Sequence, residues 1–223
     1  MITDDRVEAL LEKYITNNSV VSFGTGPSNE AFLKKLALYV EKNGLKIKIV
    51  PTAHSMGLIC SQLKLPTVSL DDVEIDLAFD FVDQVNEDFD YISNETTSLI
   101  RDKMIALDAA ELVVVCEEKN FVKKLNCPIA VEISSFAMNK TLTQLMNLGE
   151  PKLRQIKGKP VLSETGHYFV DIKCDDIYSI EDLDYQAKRI PGVLETSLFI
   201  GYADRVVLYG NNLIVKSRLT NLE

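Results

Sequence analysis

Two aspartates in the middle of the chain, Asp80 and Asp83, are placed where a ligand site of an α/β sheet is expected. Asp80 and Asp83 follow the apolar run IDLAF, and Asp102 lies further on, in the segment RDKMIALDAAE. Short apolar runs are typical of buried parallel strands, and ligands of open α/β sheets bind beyond the carboxyl ends of such strands. Carboxyl groups in that position can move protons on a bound substrate. We therefore expect an active-site cleft at the end of this strand.

A second candidate segment, SFGTGPSNE at residues 22–30, follows another apolar strand. Glycine-rich turns between a strand and a helix present backbone N–H groups to anions, and the helix dipole adds to the attraction. Together with the aspartates, this segment predicts a site for a small phosphorylated ligand. The residues expected to face the phosphate are Thr25, Gly26, Pro27 and Ser28.

Each of these positions also has a purely structural explanation. Aspartate is favoured at helix N-caps and in turns, so Asp80 and Asp83 could serve only there. Asp102 stands between Arg101 and Lys103 near a predicted helix start, where an acid can form a surface ion pair and interact with the helix dipole. The glycine-rich segment could be an ordinary turn.

The elements that must position these residues alternate between helix and strand as far as Pro128. Apolar periodicity predicts helices near residues 7–15, 31–43, 55–65, 98–111 and 121–125. Apolar runs between them predict strands at VVSFG, LKIKIVP, TVSLDD, IDLAF and LVVVC. This alternation is typical of an α/β fold with a doubly wound, mostly parallel, Rossmann-like sheet.

After Pro128 the pattern changes to strand, helix, hairpin, helix and strand. The predicted strands are IAVEI and TSLFIG, the helices are NKTLTQLMNLG and EDLDYQAKRI, and the hairpin turns at Thr165-Gly166. This order predicts a second, smaller α+β domain of ferredoxin-like type. A last hairpin with its turn at Asn211-Asn212 is expected to return to the first domain. The predicted domains are residues 1–128 with 203–223, and residues 129–202.

Composition and charge exclude several classes of protein. A net charge of −9 argues against a nucleic-acid-binding surface, which needs clustered lysine and arginine. No apolar run approaches the roughly 18 residues that a transmembrane helix requires. The start MITDDRVEALLEKY is amphipathic and acidic, unlike a secretory signal peptide. We therefore expect a cytoplasmic protein with a small-molecule ligand, no nucleic acid and no membrane.

The cysteines and histidines do not indicate a metal site. The four cysteines are Cys60, Cys116, Cys127 and Cys174. None forms a C-x-x-C pair, so we expect buried free thiols. The two histidines, His54 and His167, have no acid or thiol at ligand spacing, and a structural or surface role is expected for each.

Several segments, in order, resemble motifs of the ribose-5-phosphate isomerase A family. FGTGPS resembles that family's GxGTGST loop, and IVPTAHSMGL resembles the loop after its second strand. IDLAFDFVDQVN is similar to DLxxDGADEVD, and SLIRDKMIA is similar to the helix ALxREKxIA. NCPIAVEI resembles the LPVEV strand, and GHYFVDI with IPGVLETSLFIGYADRVVLYG resembles the second-domain ending. The resemblance covers nearly the full length of the chain.

This resemblance implies an aldose–ketose isomerase that interconverts ribose 5-phosphate and ribulose 5-phosphate through an enediolate, without a metal or other cofactor. It places the proton-transfer carboxylate on Asp102 and the acids near the sugar hydroxyls on Asp80 and Asp83. It places the phosphate loop on residues 25–28. The other implied substrate-binding positions are Phe81, Val82, Ser93, Asn94, Glu95, Thr96 and Asn120.

The chain departs from the family pattern around the acids. Residues 93–96, with the sequence SNET, stand where the family has KGGG, so a cation gives way to a hydroxyl and an added acid. Asp102 replaces a glutamate and is one methylene shorter. Phe81-Val82 replaces Gly-Ala and adds bulk.

The chain also departs from the family around the phosphate. Pro27 replaces serine and removes one backbone N–H donor. The family's phosphate-side lysines fall on Asp4 or Asp5 and on Asn120, with Arg6, Lys119 and Lys123 close enough to substitute.

These departures leave more than one function open. The preferred interpretation is a divergent ribose-5-phosphate isomerase. The alternative is a catalytically inactive or repurposed homologue that binds another small phosphorylated ligand or acts as an interaction or regulatory protein. In either case, the resemblance implies a homodimer or homotetramer formed through the second domain.

Overall fold

The computed structural model describes residues 2–126, 128–174 and 177–218 of the 223-residue chain. The helices of that part are α1 (Asp4–Tyr14), α2 (Pro27–Asn43), α3 (His54–Gln62), α4 (Leu99–Asp108), α5 (Met138–Leu145) and α6 (Ile180–Lys188). Shorter 3-10 helices span Leu70–Asp72 and Glu118–Asn120. Within the described residues, no helix is both long enough and apolar enough to cross a bilayer.

The strands are short, as expected for apolar runs broken by turns. In chain order they are β1 (Val20–Phe23), β2 (Lys48–Val50), β3 (Leu77–Phe81), β4 (Gln84–Val85), β5 (Tyr91–Ile92), β6 (Leu112–Glu117), β7 (Ile129–Ile133), β8 (Glu150–Leu153), β9 (Gln155–Ile156), β10 (Lys159–Pro160), β11 (Tyr168–Lys173), β12 (Val193–Thr196), β13 (Leu198–Phe199), β14 (Arg205–Tyr209) and β15 (Leu213–Ser217).

The main sheet contains β15-β14-β6-β3-β1-β2 in that order. β2, β1, β3, β6 and β14 run parallel, and β15 pairs antiparallel with β14. From β1 the chain crosses outward to β2 and then returns to β3 on the other side of β1. Their carboxyl ends therefore meet at a topological switch point, where open α/β sheets bind ligands. The predicted doubly wound, mostly parallel sheet is confirmed.

A second sheet has the antiparallel order β12-β7-β11-β8. Its elements follow one another as β7, α5, β8, β11, α6 and β12, which is the ferredoxin-like order. The predicted smaller α+β unit is confirmed as a fold. The last hairpin, β14–β15, pairs with β6 in the main sheet. The division of the chain into two domains with the stated boundaries remains a prediction.

A small third sheet, β13-β5-β4, joins the two larger ones. β5 pairs with β4 on one side and with β13, which directly follows the second sheet, on the other. The residues between β3 and α4 are therefore held by elements of both sheets. They include six of the fourteen candidate site residues, Val82, Asp83, Ser93, Asn94, Glu95 and Thr96.

The helices and strands pack through apolar side chains on both faces of the main sheet. On one face, Phe23 and Phe79 stack with ring centroids 6.0 Å apart, and Phe32 of α2 lies 4.9 Å from Phe79. On the other face, Val114 and Ala78 pack with Ile105 of α4. Burial on both faces explains why the parallel strands are almost uniformly apolar in sequence.

Some predicted elements differ from the structure. TVSLDD was predicted to be a strand, but only Thr67 pairs with a strand, through a single bridge to Ile49. The segment continues into the 3-10 helix Leu70–Asp72, because the backbone N–H of Asp71 donates to the Ser69 side chain in a turn. The helix predicted near residues 121–125 is wrong. The 3-10 helix Glu118–Asn120 stands just before it, and Phe121 bridges to Val85 instead.

The α2 helix begins at Pro27, four residues before the predicted start at residue 31. Proline at the first helical position has no N–H to leave unpaired, so it favours a start there. Cys60 is a buried free thiol as predicted, Cys116 is buried and Cys174 is half-buried. Cys127 lies outside the described residues.

Candidate active site

The loop between β1 and α2 lies directly against the candidate acids. A Cβ atom on Gly24 would collide with the Asp80 carboxylate, and one on Gly26 would collide with the backbone carbonyl of Glu95. Gly26 also has φ +100°, a conformation that side-chain-bearing residues rarely adopt. Glycine at both positions lets three chain segments meet at the switch point.

Asp102 lies in the first turn of α4 and is 5% exposed, so the alternative of a surface ion pair is wrong. Two threonine hydroxyls hold its carboxylate: Thr96 Oγ1 donates to Oδ2 at 2.5 Å and Thr25 Oγ1 at 3.1 Å. The backbone N–H groups of Thr97 and Ser98 donate to these hydroxyls, which directs the hydroxyl protons towards Asp102. Thr25 therefore contacts Asp102 and does not act only in a turn.

The surroundings of Asp102 suit a general base. Burial raises the pKa of its carboxyl group to about 7, although the hydrogen bonds from Thr96 and Thr25 act in the opposite direction. The negative charge of Glu132 raises the pKa further. A base that exchanges its proton near neutral pH can both accept and return a proton during turnover.

Glu132 and Ser98 fix the start of the helix that carries Asp102. Glu132 is fully buried in β7, and its Oε2 accepts the N–H groups of Leu99 at 3.0 Å and Ile100 at 3.4 Å. The Ser98 side chain accepts the next N–H, that of Arg101. The first N–H groups of a helix have no partner within it, so these contacts anchor α4 on the second sheet.

Asp80 lies beside Asp102 and is 4% exposed. Asn29 Nδ2 donates to its Oδ1 at 3.1 Å and also to the Thr25 carbonyl at 2.8 Å. Burial raises the pKa of the Asp80 carboxyl well above its usual range, and the nearby Asp102 charge raises it further. Hydrogen bonds from Asn29 and Ser93 lower it only in part. The pair therefore consists of two buried carboxyl groups that repel each other when both are charged, so burial and repulsion both favour a proton held between them.

Asp83 holds a backbone N–H group of the neighbouring loop. Its Oδ2 accepts the Asn94 backbone N–H at 2.7 Å, and burial raises its pKa despite this bond. The Arg154 guanidinium, which pairs with Asp171 and donates to the Asn94 carbonyl at 3.1 Å, lowers that pKa. Asp83 thus holds the loop after β5.

Of the other predicted residues in that loop, two lie next to the acids, one holds the backbone and one is exposed. Ser93 is buried next to Asp80, and Thr96 holds Asp102. Asn94 uses its side-chain oxygen to accept the Ala130 N–H at 2.8 Å, which ties the loop to β7. Glu95 is exposed.

Phe81 and Val82 follow Asp80 and point to opposite faces. The Phe81 ring packs 5.2 Å from Phe32 and narrows the space above α2. Val82 donates its N–H to Val115 at 3.0 Å and joins the apolar core. The predicted added bulk therefore comes from Phe81.

The predicted phosphate loop borders a mostly apolar cavity of about 170 Å³. Pro27 and Ser28, at the start of α2, line it together with Phe81. Lys35 also lines it, eight residues after Pro27 on the same face of the helix, and pairs with Asp4 at 3.0 Å. The structure thus brings a lysine to the phosphate loop that the sequence analysis did not select.

Asn120 lies further away, in the 3-10 helix that follows the carboxyl end of β6. Its neighbour Lys119 pairs with Glu117 at 2.5 Å and lines a separate surface depression with Tyr209. Lys119 could stand in for the family's lysine here, but its positive charge is already paired with the carboxylate of Glu117.

Four residues that the structure brings to the site were not predicted from the sequence: Asn29, Lys35, Tyr91 and Glu132. Lys35 could have been predicted, because it lies eight residues after Pro27 and therefore on the same face of the helix. Asn29 directly follows the predicted phosphate loop, residues 25–28. Glu132 interrupts an apolar strand, which only a buried role explains.

Comparison with known proteins agrees with this arrangement. A family model described as ribose 5-phosphate isomerase A (phosphoriboisomerase A) matches residues 48–212. The chain belongs to the ribose 5-phosphate isomerase A family. It is 30% identical to the ribose-5-phosphate isomerase A of Bacillus mycoides, over 89% of this chain and 91% of that protein. It is also 30% identical to that of Methanococcus aeolicus, over 92% of this chain and 91% of that protein.

Solved structures of ribose 5-phosphate isomerases have the same fold. The enzyme from Methanocaldococcus jannaschii superposes with a TM-score of 0.87 at 25% identity, covering 96% of this chain and 98% of that one. A D-ribose-5-phosphate isomerase in complex with phospho-erythronic acid superposes with a TM-score of 0.88 at 26% identity, covering 96% and 97%. Family membership therefore rests on sequence and on fold together.

Proposed function

We propose that this chain interconverts ribose 5-phosphate and ribulose 5-phosphate, with Asp102 as the base. The observation that carries the proposal is the buried carboxyl pair: Asp102, with a pKa of about 7, beside Asp80, with a pKa raised well above its usual range. Two adjacent buried carboxyl groups that disfavour being charged together can share one proton, and such a pair can supply one base and one acid. Family membership supplies the reaction for which such a pair is suited.

The proposed reaction proceeds through an enediolate. The Asp102 carboxylate takes the proton from C2, the C–H electron pair forms the C1=C2 bond, and the carbonyl electron pair moves to O1. Asp102 then returns the proton to C1. The hydroxyl proton on O2 leaves as the new carbonyl forms, and O1 gains a proton. We assign Asp80, the neighbour of Asp102 in this pair, to transfer the hydroxyl proton between O2 and O1.

The phosphate is proposed to lie at the N-terminus of α2. This is a helix of 17 residues, and its first-turn N–H groups and dipole favour an anion near residues 26–28. Lys35 supplies the one cation lining the adjacent cavity in the described part of the chain, and a phosphate there would compete with Asp4 for it. We therefore expect weaker phosphate binding than several unpaired cations would give.

The remaining proposals concern the division into domains, the oligomeric state and the cellular location. We propose two domains, residues 1–128 with 203–223 and residues 129–202, and a homodimer or homotetramer formed through the second. The exposed apolar side chains Phe136 and Tyr178 in that region support an interface there. We also propose a cytoplasmic location, consistent with the buried free thiol of Cys60.

The test is conversion of ribose 5-phosphate to ribulose 5-phosphate by protein purified from a host that lacks its own enzyme. We compare the chain with Asp102→Asn and with Asp108→Asn, an exposed acid on the same helix. We expect turnover that is lost with Asp102→Asn and retained with Asp108→Asn. Equal activity in the chain and in Asp102→Asn would reject the assignment. No turnover, with phospho-erythronic acid still bound, would favour the inactive, ligand-binding alternative.

A further inference from the structure

The hydroxyl group of Tyr91 is buried without a hydrogen-bond partner among the described residues. Tyr91 is 0% exposed and lies in β5, the strand that joins the two larger sheets. A buried donor without a partner is destabilising, and most buried polar groups in proteins are paired. An unpaired hydroxyl in a functional region therefore needs an explanation.

Tyr91 packs against the elements that carry the candidate acids. Tyr91 is two residues before Ser93, so both side chains leave the chain on the same face, and Ser93 contacts Asp80. The Tyr91 ring stacks on Phe199 with centroids 4.6 Å apart and packs in the same cluster as Ile105, one turn after Asp102. Among charged groups, Asp80 and Asp102 act most strongly on the phenol.

The acid pair lacks a positively charged donor in the described part of the chain. The groups that donate to Asp80 and Asp102 are the hydroxyls of Thr25, Thr96 and Ser93 and the amide of Asn29. Lys103, next to Asp102 in sequence, points to Glu195 at 2.7 Å. An enediolate formed beside two carboxyl groups needs a donor for its oxygen.

Tyr91 is suited to that task because it stays protonated. Burial, together with the charges of Asp80 and Asp102, raises the pKa of its phenol well above the usual range. A neutral hydroxyl in a water-excluded site can donate to a developing oxyanion without first breaking another hydrogen bond.

We propose that the Tyr91 hydroxyl donates a hydrogen bond to the enediolate oxygen and is a catalytic residue of this chain. The inference rests on the proposed isomerase function. No proton leaves Tyr91 in this role: the phenol O–H bond stays intact while Asp102 carries the proton between the two sugar carbons.

The test is Tyr91→Phe, which removes the hydroxyl and keeps the ring. We expect kcat for ribose 5-phosphate to fall by roughly 100-fold, the effect of removing one oxyanion donor, with KM nearly unchanged. We expect Tm to rise by about 2–4 °C, because an unpaired buried hydroxyl is gone. Phospho-erythronic acid, whose planar carboxylate resembles the enediolate, should bind about tenfold more weakly.

Tyr14→Phe is the matched control. The Tyr14 hydroxyl is also buried without a partner among the described residues, but its ring packs edge-on against Phe79, and the nearest charges on it are Arg205 and Glu111. Tyr14→Phe should raise Tm by a similar amount and leave kcat unchanged.

Each other outcome overturns the inference. If Tyr91→Phe keeps the kcat of the parent protein, the hydroxyl takes no part in turnover, whatever its effect on Tm. If kcat and Tm fall together, the hydroxyl serves packing. The comparison of the parent protein with Asp102→Asn decides the isomerase function separately, so a failure of Tyr91 alone leaves that function intact.

Discussion

Replacing the base should stabilise the folded protein while abolishing its activity. Asp102 is buried, and its pKa of about 7 in the folded chain lies above the ordinary value of 3.8. Because the pKa is raised on folding, the folded state holds a proton that the unfolded state releases between these two values. The free energy of unfolding therefore falls as pH rises through that window, and the loss is complete above the folded pKa.

The size of this effect follows from the pKa difference. About three pH units correspond to about 4 kcal/mol of lost stability above pH 7, an order-of-magnitude figure. At about pH 5 only the first part of the window has been crossed, and the loss is roughly 1–2 kcal/mol. Asp102→Asn cannot ionise, so its gain in stability should be about 4 kcal/mol at about pH 8 and smaller at about pH 5.

Urea unfolding at these two pH values measures the effect. With a urea dependence of about 2–3 kcal/mol per molar, the midpoint should shift upward by about 1–2 M at the higher pH. Asp108→Asn, an exposed position on the same helix, should change stability by the same small amount at both pH values. A gain for Asp102→Asn that does not depend on pH, or a loss of stability at the higher pH, would refute the argument.

Two further predictions concern the groups around the base and the phosphate loop. Glu132→Gln keeps an oxygen that can accept the Leu99 N–H but removes the negative charge that raises the pKa of Asp102, so the acidic limb of kcat/KM against pH should move to lower pH. Thr165→Val is the control, because it removes the hydroxyl donor to Glu132 but keeps the negative charge of Glu132. If the acidic limb of the pH profile does not move in Glu132→Gln, the prediction is contradicted. Lys35→Met should raise KM for ribose 5-phosphate by roughly tenfold at nearly constant kcat, since one lost phosphate contact is worth about 1.4 kcal/mol. Unchanged KM in steady-state kinetics would show that the phosphate lies elsewhere.

The sequence by itself determined most of the architecture. Uniformly apolar runs such as IDLAF and LVVVC predicted parallel strands buried on both faces, and the change of pattern after Pro128 predicted the antiparallel unit. These predictions succeeded because strand burial is a local property that appears in the periodicity of a few residues. The order of motifs likewise pointed to the family.

The sequence was weaker where a contact joins distant segments. Asp102 stands between two basic residues in sequence, which suits a surface ion pair equally well. Only the tertiary structure showed it buried, with Thr25, 77 residues away, as a hydrogen-bond donor. Whether a carboxyl group is a base or a surface charge depends on desolvation, and the residues that exclude water from it come from other elements.

The same reason explains Tyr91 and Glu132. In sequence, Tyr91 is an apolar residue of a short strand, and Glu132 is a single acid within another. The structure shows an unpaired hydroxyl beside the acid pair and a buried carboxylate at the start of α4. Hydrogen-bond satisfaction is decided by partners far apart in the chain. The sequence therefore determined the fold and the identity of the acids, and the tertiary structure decided their charge states and their partners.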